Sequence, residues 1–178
     1  MIDLKTLNQM SASEFVDALA PIFEHSPWVA QRVAALRPFD SGMALHSALC
    51  EAVMQAGEAQ QLALIRAHPE LAGRAAIRGD LTAASTGEQR RAGLAHCTPE
   101  QLQRLNSLNG AYSSRFGFPF VLAVRGHTPD TVIAAMERRI THDVKQELDE
   151  ALREIFTIAR FRLADLVQEP AAPANSAP

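Results

Sequence analysis

The sequence is poor in lysine and in long apolar runs, and each shortage excludes a class of protein. Only two of its 17 basic residues are lysines, Lys5 and Lys145, and both lie in polar surroundings. Covalent catalysis through a Schiff base needs a desolvated lysine, so that mechanism is not expected. No stretch approaches the roughly 18 apolar residues of a membrane span. Asp3 and Lys5 interrupt any signal-like start, so no membrane association is expected.

The thiols, the histidines and the charge balance are equally restrictive. Cys50 and Cys97 are the only cysteines among 178 residues and lack the spacing of metal ligands. They are interpreted as reduced thiols of a cytoplasmic protein. The six histidines form no HxxH or HxxxH pair, so no metal site is predicted. A net charge of −3 favours no nucleic-acid partner, although Arg90, Arg91 and Arg104 form a small basic patch.

Signals for helices, by contrast, are abundant. N-capping residues precede periodic apolar stretches at Ser11, Ser26-Pro27, Asp40 or Ser41, Ser85, Thr98-Pro99 and Thr128-Pro129. Another helix is expected from about 58 to 67, ended by Pro69, and the last from about 143 to 167. These patterns predict an all-α fold, an irregular single-domain bundle of about eight helices over residues 1–167. The Pro/Ala-rich residues 168–178 are expected to form a disordered tail.

One segment breaks the helical pattern. Residues 118–125, between Gly117 and Gly126, are apolar and rich in β-forming side chains, which predicts a short, buried, extended segment. The backbone polar groups of a lone extended segment need partners. A neighbouring loop or a ligand would have to provide them.

Candidate catalytic residues lie where helices are expected to end and begin. His68 directly precedes Pro69, just past a helix end, where we expect it to be accessible. It fits either an imidazole favoured by the helix dipole or a catalytic acid and base. Ser85 and Glu88 have the spacing of a capping box. However, a helix N-terminus also favours an anionic substrate, and the Gln89 amide matches the edge of a urea or imide.

Arg162 lies on the apolar side of the last predicted helix. Leu152, Ile155 and Ala159 share that side, whereas Arg160 does not. An arginine in this position either reaches toward solvent, pairs with an internal carboxylate, or binds an anion. The sequence leaves these alternatives open.

Five motifs follow one another between residues 5 and 167. They are Glu24-His25-Ser26-Pro27-Trp28-Val29-Ala30, His68-Pro69-Glu70-Leu71, Ser85-Thr86-Gly87-Glu88-Gln89, Asn109-x-x-Tyr112 and Phe116-Gly117-Phe118-Pro119-Phe120-Val121. Together they resemble the family of 2-oxo-4-hydroxy-4-carboxy-5-ureidoimidazoline (OHCU) decarboxylase, the last enzyme of the route from urate to allantoin. A single motif would be weak evidence, but the ordered series is specific.

The resemblance implies a decarboxylase without cofactor or metal, which acts on a small molecule, forms (S)-allantoin and is often a homodimer. It implies that His68 is the catalytic acid and base and that Glu88 is its partner. The residues implied to contact substrate are Pro69, Ser85, Gln89, the backbone of Phe120, Val121, Leu122, Ala123 and Val124, and Arg162. The final Ser176-Ala177-Pro178 is not a peroxisomal targeting tripeptide, so a cytoplasmic enzyme is expected.

Two other hypotheses remain at this point. The same histidine and glutamate would also suit a cofactor-free hydrolase or isomerase of another ureido or cyclic amide compound. A non-enzymatic helical interaction module predicts instead that His68, Glu88 and Gln89 are surface caps without a common pocket.

Overall fold

Helices dominate the structure, which confirms the predicted class. The computed structural model describes residues 1–73, 76 and 78–168. Nine α-helices lie within these residues: α1 (Leu4–Gln9), α2 (Ala12–Leu19), α3 (Trp28–Val33), α4 (Gly42–Met54), α5 (Glu58–Arg66), α6 (Ala83–Arg91), α7 (Pro99–Phe116), α8 (Pro129–Arg139) and α9 (Val144–Leu166). Two short 3-10 helices span Ala34–Leu36 and Leu94–His96. None of the helices in this described part of the chain combines the length and apolar character needed to cross a membrane.

Most helices begin where the sequence predicts. Side-chain caps form at Ser11, Ser41, Thr98 and Thr128. The prediction for α3 is displaced by one residue, because that helix begins at Trp28 and Pro27 precedes it as the N-cap. The Ser26 carbonyl accepts the Val29 N–H at 3.2 Å, so Ser26 contributes its backbone to this turn.

The described residues divide into two compact units. Unit 1 contains residues 1–56 and those from 159 onward. Within it, α3 packs against both α2 and α4. The buried apolar side chains of this unit include Leu7, Phe15, Leu19, Val29, Val33, Leu45, Leu49, Val53 and Leu163.

A two-stranded parallel sheet in unit 1 was not predicted. Strand β1 (Ile2–Asp3) pairs with β2 (Val167–Gln168), and Ile2 lies opposite Val167. Gln168, which the sequence assigned to the tail, is therefore part of a strand. The rest of the predicted tail, residues 169–178, lies outside the described residues.

Unit 2 contains residues 57–158. Helices α7 and α8 pack together, and the aromatic side chains at the end of α7 form the centre of the core. The Tyr112 ring lies 4.6 Å from that of Phe116, 6.2 Å from Phe118 and 5.2 Å from Phe120, measured between ring centroids. Unit 2 contains every predicted site residue except Arg162.

Candidate active site

His68 lies immediately after α5, where Pro69 prevents the helix from continuing. Its backbone N–H donates to the Ile65 carbonyl at 3.1 Å. The Nδ1 atom of its imidazole lies 3.0 Å from the Leu64 carbonyl oxygen. A carbonyl only accepts, so Nδ1 carries a proton and Nε2 is the basic atom of the neutral ring. The side chain is 7% exposed. The expectation that His68 would be accessible is therefore wrong, because tertiary packing covers the helix end.

The turn after His68 has an unusual backbone and is held by two side-chain amides. Ala72 has a φ of 51°, a left-handed conformation that costs a residue with a Cβ about 1–2 kcal/mol. Its N–H donates to Gln89 Oε1 at 2.9 Å, and Gln89 Nε2 donates to the Glu70 carbonyl at 3.4 Å. From α7, Asn109 Nδ2 donates to the Leu71 carbonyl at 3.0 Å. These bonds hold residues 70–72 in place.

The turn also depends on a glycine. A Cβ at Gly73 would lie 2.6 Å from the Glu70 Cβ and 2.8 Å from its Oε2. The Glu70 side chain therefore folds over Gly73, and no larger residue fits there without displacing it.

The helix that bears Glu88 starts earlier than predicted. Thr82 is the N-cap of α6, and its hydroxyl accepts the Ser85 N–H at 3.3 Å. The predicted capping box of Ser85 and Glu88 is therefore wrong. Glu88 lies in the helix interior and is half-buried, so helix capping does not explain its presence.

Three of the predicted site residues share one face of α6. Ser85 and Gln89 are one helical turn apart and are 4% and 6% exposed, and Glu88 lies between them, three residues after Ser85. Through Gln89, this face bonds the turn that directly follows His68. The interaction-module hypothesis required surface caps, and the burial of His68 and Gln89 contradicts it.

A cavity of about 320 Å³ adjoins this turn. Its walls include Ala72 and Gln89, together with Thr86, Arg90, Leu94 and Leu102. This volume is at the lower end of the range for small-molecule sites. Gln89 therefore both stabilises the turn and borders a space of suitable size for a small ligand.

The non-helical segment predicted near 118–125 is present. Residues 119–124 belong to neither helix nor strand, and Phe118 and residues 120–124 are buried. Side chains from two helices bind its backbone: Arg139 Nη1 donates to the Val121 carbonyl at 2.8 Å, and Glu154 Oε2 accepts the Ala123 N–H at 2.9 Å. Part of the required hydrogen bonding is thus supplied by charged side chains, rather than by the neighbouring loop or the ligand that was expected.

Arg139 belongs to a buried cluster of polar groups. It donates to Glu147 Oε1 from Nε at 3.0 Å and from Nη2 at 2.5 Å. The Tyr112 hydroxyl donates to the same oxygen, and His142 Nδ1 donates to Oε2 at 2.8 Å. Arg139, Glu147 and Tyr112 are each 0% exposed. One fully buried carboxylate thus binds a guanidinium and a phenol in the core, together with the partly exposed imidazole of His142.

The surroundings favour the donor forms of Tyr112 and Arg139. Burial, and then the bond to Glu147, raise the pKa of the Tyr112 hydroxyl, which therefore keeps its proton. Burial by itself lowers the pKa of the Arg139 guanidinium, but the hydrogen bonds and charge of Glu147 outweigh it and raise that pKa.

Sequence reasoning missed Arg139 and Glu154, although a signal for Arg139 exists. Val132, Met136 and Arg139 follow helical spacing along α8, and all three are buried. An arginine on an apolar helix face was the observation that singled out Arg162, and it applies equally to Arg139. Glu154 carries no such signal, because its partner is a backbone N–H 31 residues away.

In unit 1, Arg162 is buried on α9, and Arg160 is exposed, as predicted. Arg162 Nη1 lies 2.8 Å from Glu24 Oε2 and 3.1 Å from the Pro21 carbonyl oxygen. Glu24 is itself 3% exposed. Of the alternatives for Arg162, pairing with an internal carboxylate is confirmed, and binding of an anion remains a prediction.

The described residues contain no group of three His, Cys, Asp or Glu side chains arranged to hold a metal ion. Comparison with known proteins then identifies the family. The family model for OHCU decarboxylase matches residues 8–164. The chain belongs to the OHCU decarboxylase family. Members of this family are decarboxylating lyases that act on a small molecule.

Similar proteins extend this result. The OHCU decarboxylase of Haloferax volcanii is 44% identical over 92% of this chain and 95% of its own length. A uric acid degradation bifunctional protein of Bacillus subtilis is 41% identical over 95% of this chain, which spans 33% of that protein. The crystal structure of an (S)-allantoin synthase matches with a TM-score of 0.76 and 32% identity, over 94% of this chain and 54% of that one.

Proposed function

We propose that this chain converts OHCU to (S)-allantoin and carbon dioxide without a cofactor, as the last step from urate to allantoin. Membership of the OHCU decarboxylase family supports the reaction. The observation that carries the mechanism is the buried His68 imidazole, oriented through Nδ1. It lies beside a turn bound to the helix face that bears Ser85, Glu88 and Gln89.

In this mechanism His68 is the catalytic acid and base. Its Nδ1–H is bonded to the Leu64 carbonyl, so Nε2 accepts the proton of the substrate hydroxyl. The imidazole is buried, which limits competition by water for the same proton. We propose that the charge of the Glu88 carboxylate stabilises the protonated ring, since Glu88 is half-buried within α6 and does not cap that helix.

The substrate itself accepts the electrons released by decarboxylation. When the bond between the ring and the carboxylate breaks, its electron pair enters the conjugated ring, and carbon dioxide leaves perpendicular to the ring plane. Hydrogen-bond donors around the ring stabilise the developing enolate. The proton that His68 received and a second proton from water then add to the ring nitrogen that took up the electron pair and to one face of the carbon that bears the ureido group, which gives the (S) product.

The remaining predicted contacts are assigned as follows. We propose that Pro69, Ser85 and Gln89 border the substrate, and that peptide groups of Phe120, Val121, Leu122, Ala123 and Val124 bind its ring and ureido group. Gln89 already bonds residues 70 and 72, so much of its effect would come through the shape of the turn. Arg162 belongs to unit 1, and its role as an anion-binding residue is part of this proposal.

Two further expectations belong to the proposal. A homodimer is expected, and sedimentation velocity of the purified protein would test it. A cytoplasmic location is expected as well, and the free thiols of Cys50 and Cys97 are compatible with a reducing compartment.

The test generates the labile substrate in place. Urate is treated with urate oxidase and the following hydrolase, and circular dichroism follows the appearance of chiral allantoin. Wild-type protein should accelerate the signal and give the (S) enantiomer. His68→Ala should lower the rate by ~10²–10⁴-fold, the usual contribution of general acid–base catalysis.

His96→Ala is the matched control, because His96 is an exposed histidine of the same unit. It should retain the wild-type rate. If wild-type protein gives allantoin no faster than the spontaneous reaction, or gives a racemate, the proposed function is wrong. If wild type is active and His68→Ala equals it, only the assignment of His68 fails.

A further inference from the structure

We propose that Arg139 and Glu154 are positioning residues, which fix the peptide groups of residues 120–124 at the substrate. The inference rests on the proposed function, in which this backbone binds the ring and ureido group. Neither residue belongs to the motifs that carry the family resemblance, and neither was among the predicted contacts.

The two side chains bind the backbone on either side of Leu122. Arg139 donates to the Val121 carbonyl at 2.8 Å, and Glu154 accepts the Ala123 N–H at 2.9 Å. The bonds come from different helices, α8 and α9, and the two charged groups approach to 4.0 Å, between Arg139 Nη1 and Glu154 Oε1. Leu122 is thus held between two opposite charges, with both adjoining peptide groups fixed in direction.

Arg139 is itself held from several sides. Glu147 binds its Nε and Nη2, and the Phe120 ring lies 4.5 Å from its guanidinium carbon. Because Phe120 is part of the same segment, the guanidinium contacts the segment through a ring face and a carbonyl together. A fully buried, paired arginine has little freedom to move, so it provides a rigid reference for the backbone.

The hydrogen bonds from Arg139 and Glu154 are expected to fix the direction of the backbone more than they stabilise the fold. Hydrogen bonds to ionised groups are short and directional, whereas a buried ion pair often adds no more stability than apolar residues of similar volume. A displacement of about 1 Å in a catalytic site costs up to ~10²-fold in rate. The charged bonds to Val121 and Ala123 are therefore expected to affect substrate turnover more than folding.

Glu154 is the better residue to test, because its side chain is 21% exposed and that of Arg139 only 1%. Glu154→Ala removes the acceptor for the Ala123 N–H. Glu154→Gln keeps an oxygen in that place and removes the charge. Glu150→Ala is the matched control, since Glu150 lies one turn earlier on α9 and pairs with Arg153.

Two measurements are made on each variant. The coupled dichroism assay gives kcat and KM, and hydrogen exchange followed by mass spectrometry reports on peptides that cover residues 118–125. Glu154→Ala should lower kcat/KM by roughly 10- to 100-fold and accelerate exchange in this segment, with the melting curve still cooperative. Glu154→Gln should recover most of the activity, and Glu150→Ala should match wild type.

The outcomes separate this inference from the function on which it rests. Inactive wild-type protein would overturn both. Active wild type together with a Glu154→Ala variant of unchanged kcat/KM would overturn the positioning role alone. Faster exchange throughout unit 2, with no recovery in Glu154→Gln, would also overturn it, because that pattern indicates a general loss of stability.

Discussion

Two largely buried non-helical segments of unit 2, residues 69–73 and 118–124, are bound by different kinds of side chain. The first is bound by neutral amides, those of Gln89 and Asn109. The second is bound by the charged side chains of Arg139 and Glu154. A neutral hydrogen bond contributes a net ~0.5–1.5 kcal/mol and one to a charged group ~1.5–3 kcal/mol. The second segment should therefore be the more rigid of the two.

The difference matches the tasks proposed for the segments. The turn follows one imidazole, whose orientation is already fixed through the Leu64 carbonyl of the preceding helix. The 118–124 segment has no helix or strand to position its peptide groups. Its geometry has to be imposed by side chains of other helices, and charged groups impose it most strongly.

The largest loss in the free energy of unfolding is expected when Arg139, which binds the 118–124 segment, loses its partner Glu147. Glu147→Gln removes the carboxylate that binds Arg139 directly, leaves only the 4.0 Å contact with Glu154 as a counter-charge, and replaces one acceptor oxygen of the cluster by an N–H₂ donor. Breaking a buried pair in this way typically costs about 3–5 kcal/mol. Urea unfolding followed by far-ultraviolet dichroism measures this free energy.

Glu150→Gln is the control for Glu147→Gln, because its partner Arg153 is largely exposed. It should change the free energy of unfolding by less than about 1 kcal/mol. Equal changes in the free energy of unfolding would show that the buried cluster around Arg139 stabilises the protein no more than a surface ion pair does.

An intermediate loss in the free energy of unfolding is expected when Gln89, whose neutral amide binds the 69–73 turn, is removed. Gln89→Ala leaves the buried Ala72 N–H without its acceptor, which should cost about 1–3 kcal/mol in unfolding free energy. Urea unfolding again provides the measurement. Gln103→Ala, an exposed glutamine on α7, should stay within ~0.5 kcal/mol of wild type. If Gln89→Ala lowers the free energy of unfolding more than Glu147→Gln does, the turn and not the 118–124 segment is the more strongly bound of the two.

The smallest change in stability is expected from glycine substitutions in α6 and α7, the helices that carry Gln89 and Asn109. Gly87 in α6 and Gly110 in α7 have open space where a Cβ would lie, and a glycine inside a helix costs roughly 0.5–1 kcal/mol relative to alanine. Gly87→Ala and Gly110→Ala should each raise the melting temperature by a few degrees. A lower melting temperature would mean that the turn requires flexibility in these helices.

The sequence predicts well those features that depend on neighbouring residues. Ser11, Ser41, Thr98 and Thr128 cap helices because their side chains need only the backbone of the next turn. The prediction that Ser85 is an N-cap was wrong because it, too, rested on the neighbouring residues alone. Thr82 and Ser85 are both competent N-caps, and local sequence cannot decide between them when tertiary packing buries Ser85.

Features that join distant residues could not be predicted from the sequence. Arg139 meets Val121 across 18 residues, and Glu154 meets Ala123 across 31. The burial of His68 depends likewise on tertiary packing, which its neighbours in the sequence do not determine. The motifs indicated the candidate site residues, whereas the side chains that bind the 118–124 backbone became visible only in the fold.

The bond from His68 to the Leu64 carbonyl has a consequence for protein design. In many enzymes the group that orients a catalytic histidine comes from a separate part of the chain. Here it is a main-chain carbonyl four residues earlier, in the last turn of the preceding helix. The orientation of this imidazole therefore needs no residue from another part of the chain, and the unit that a design would copy is a histidine placed four residues after the carbonyl, at a helix end followed by proline.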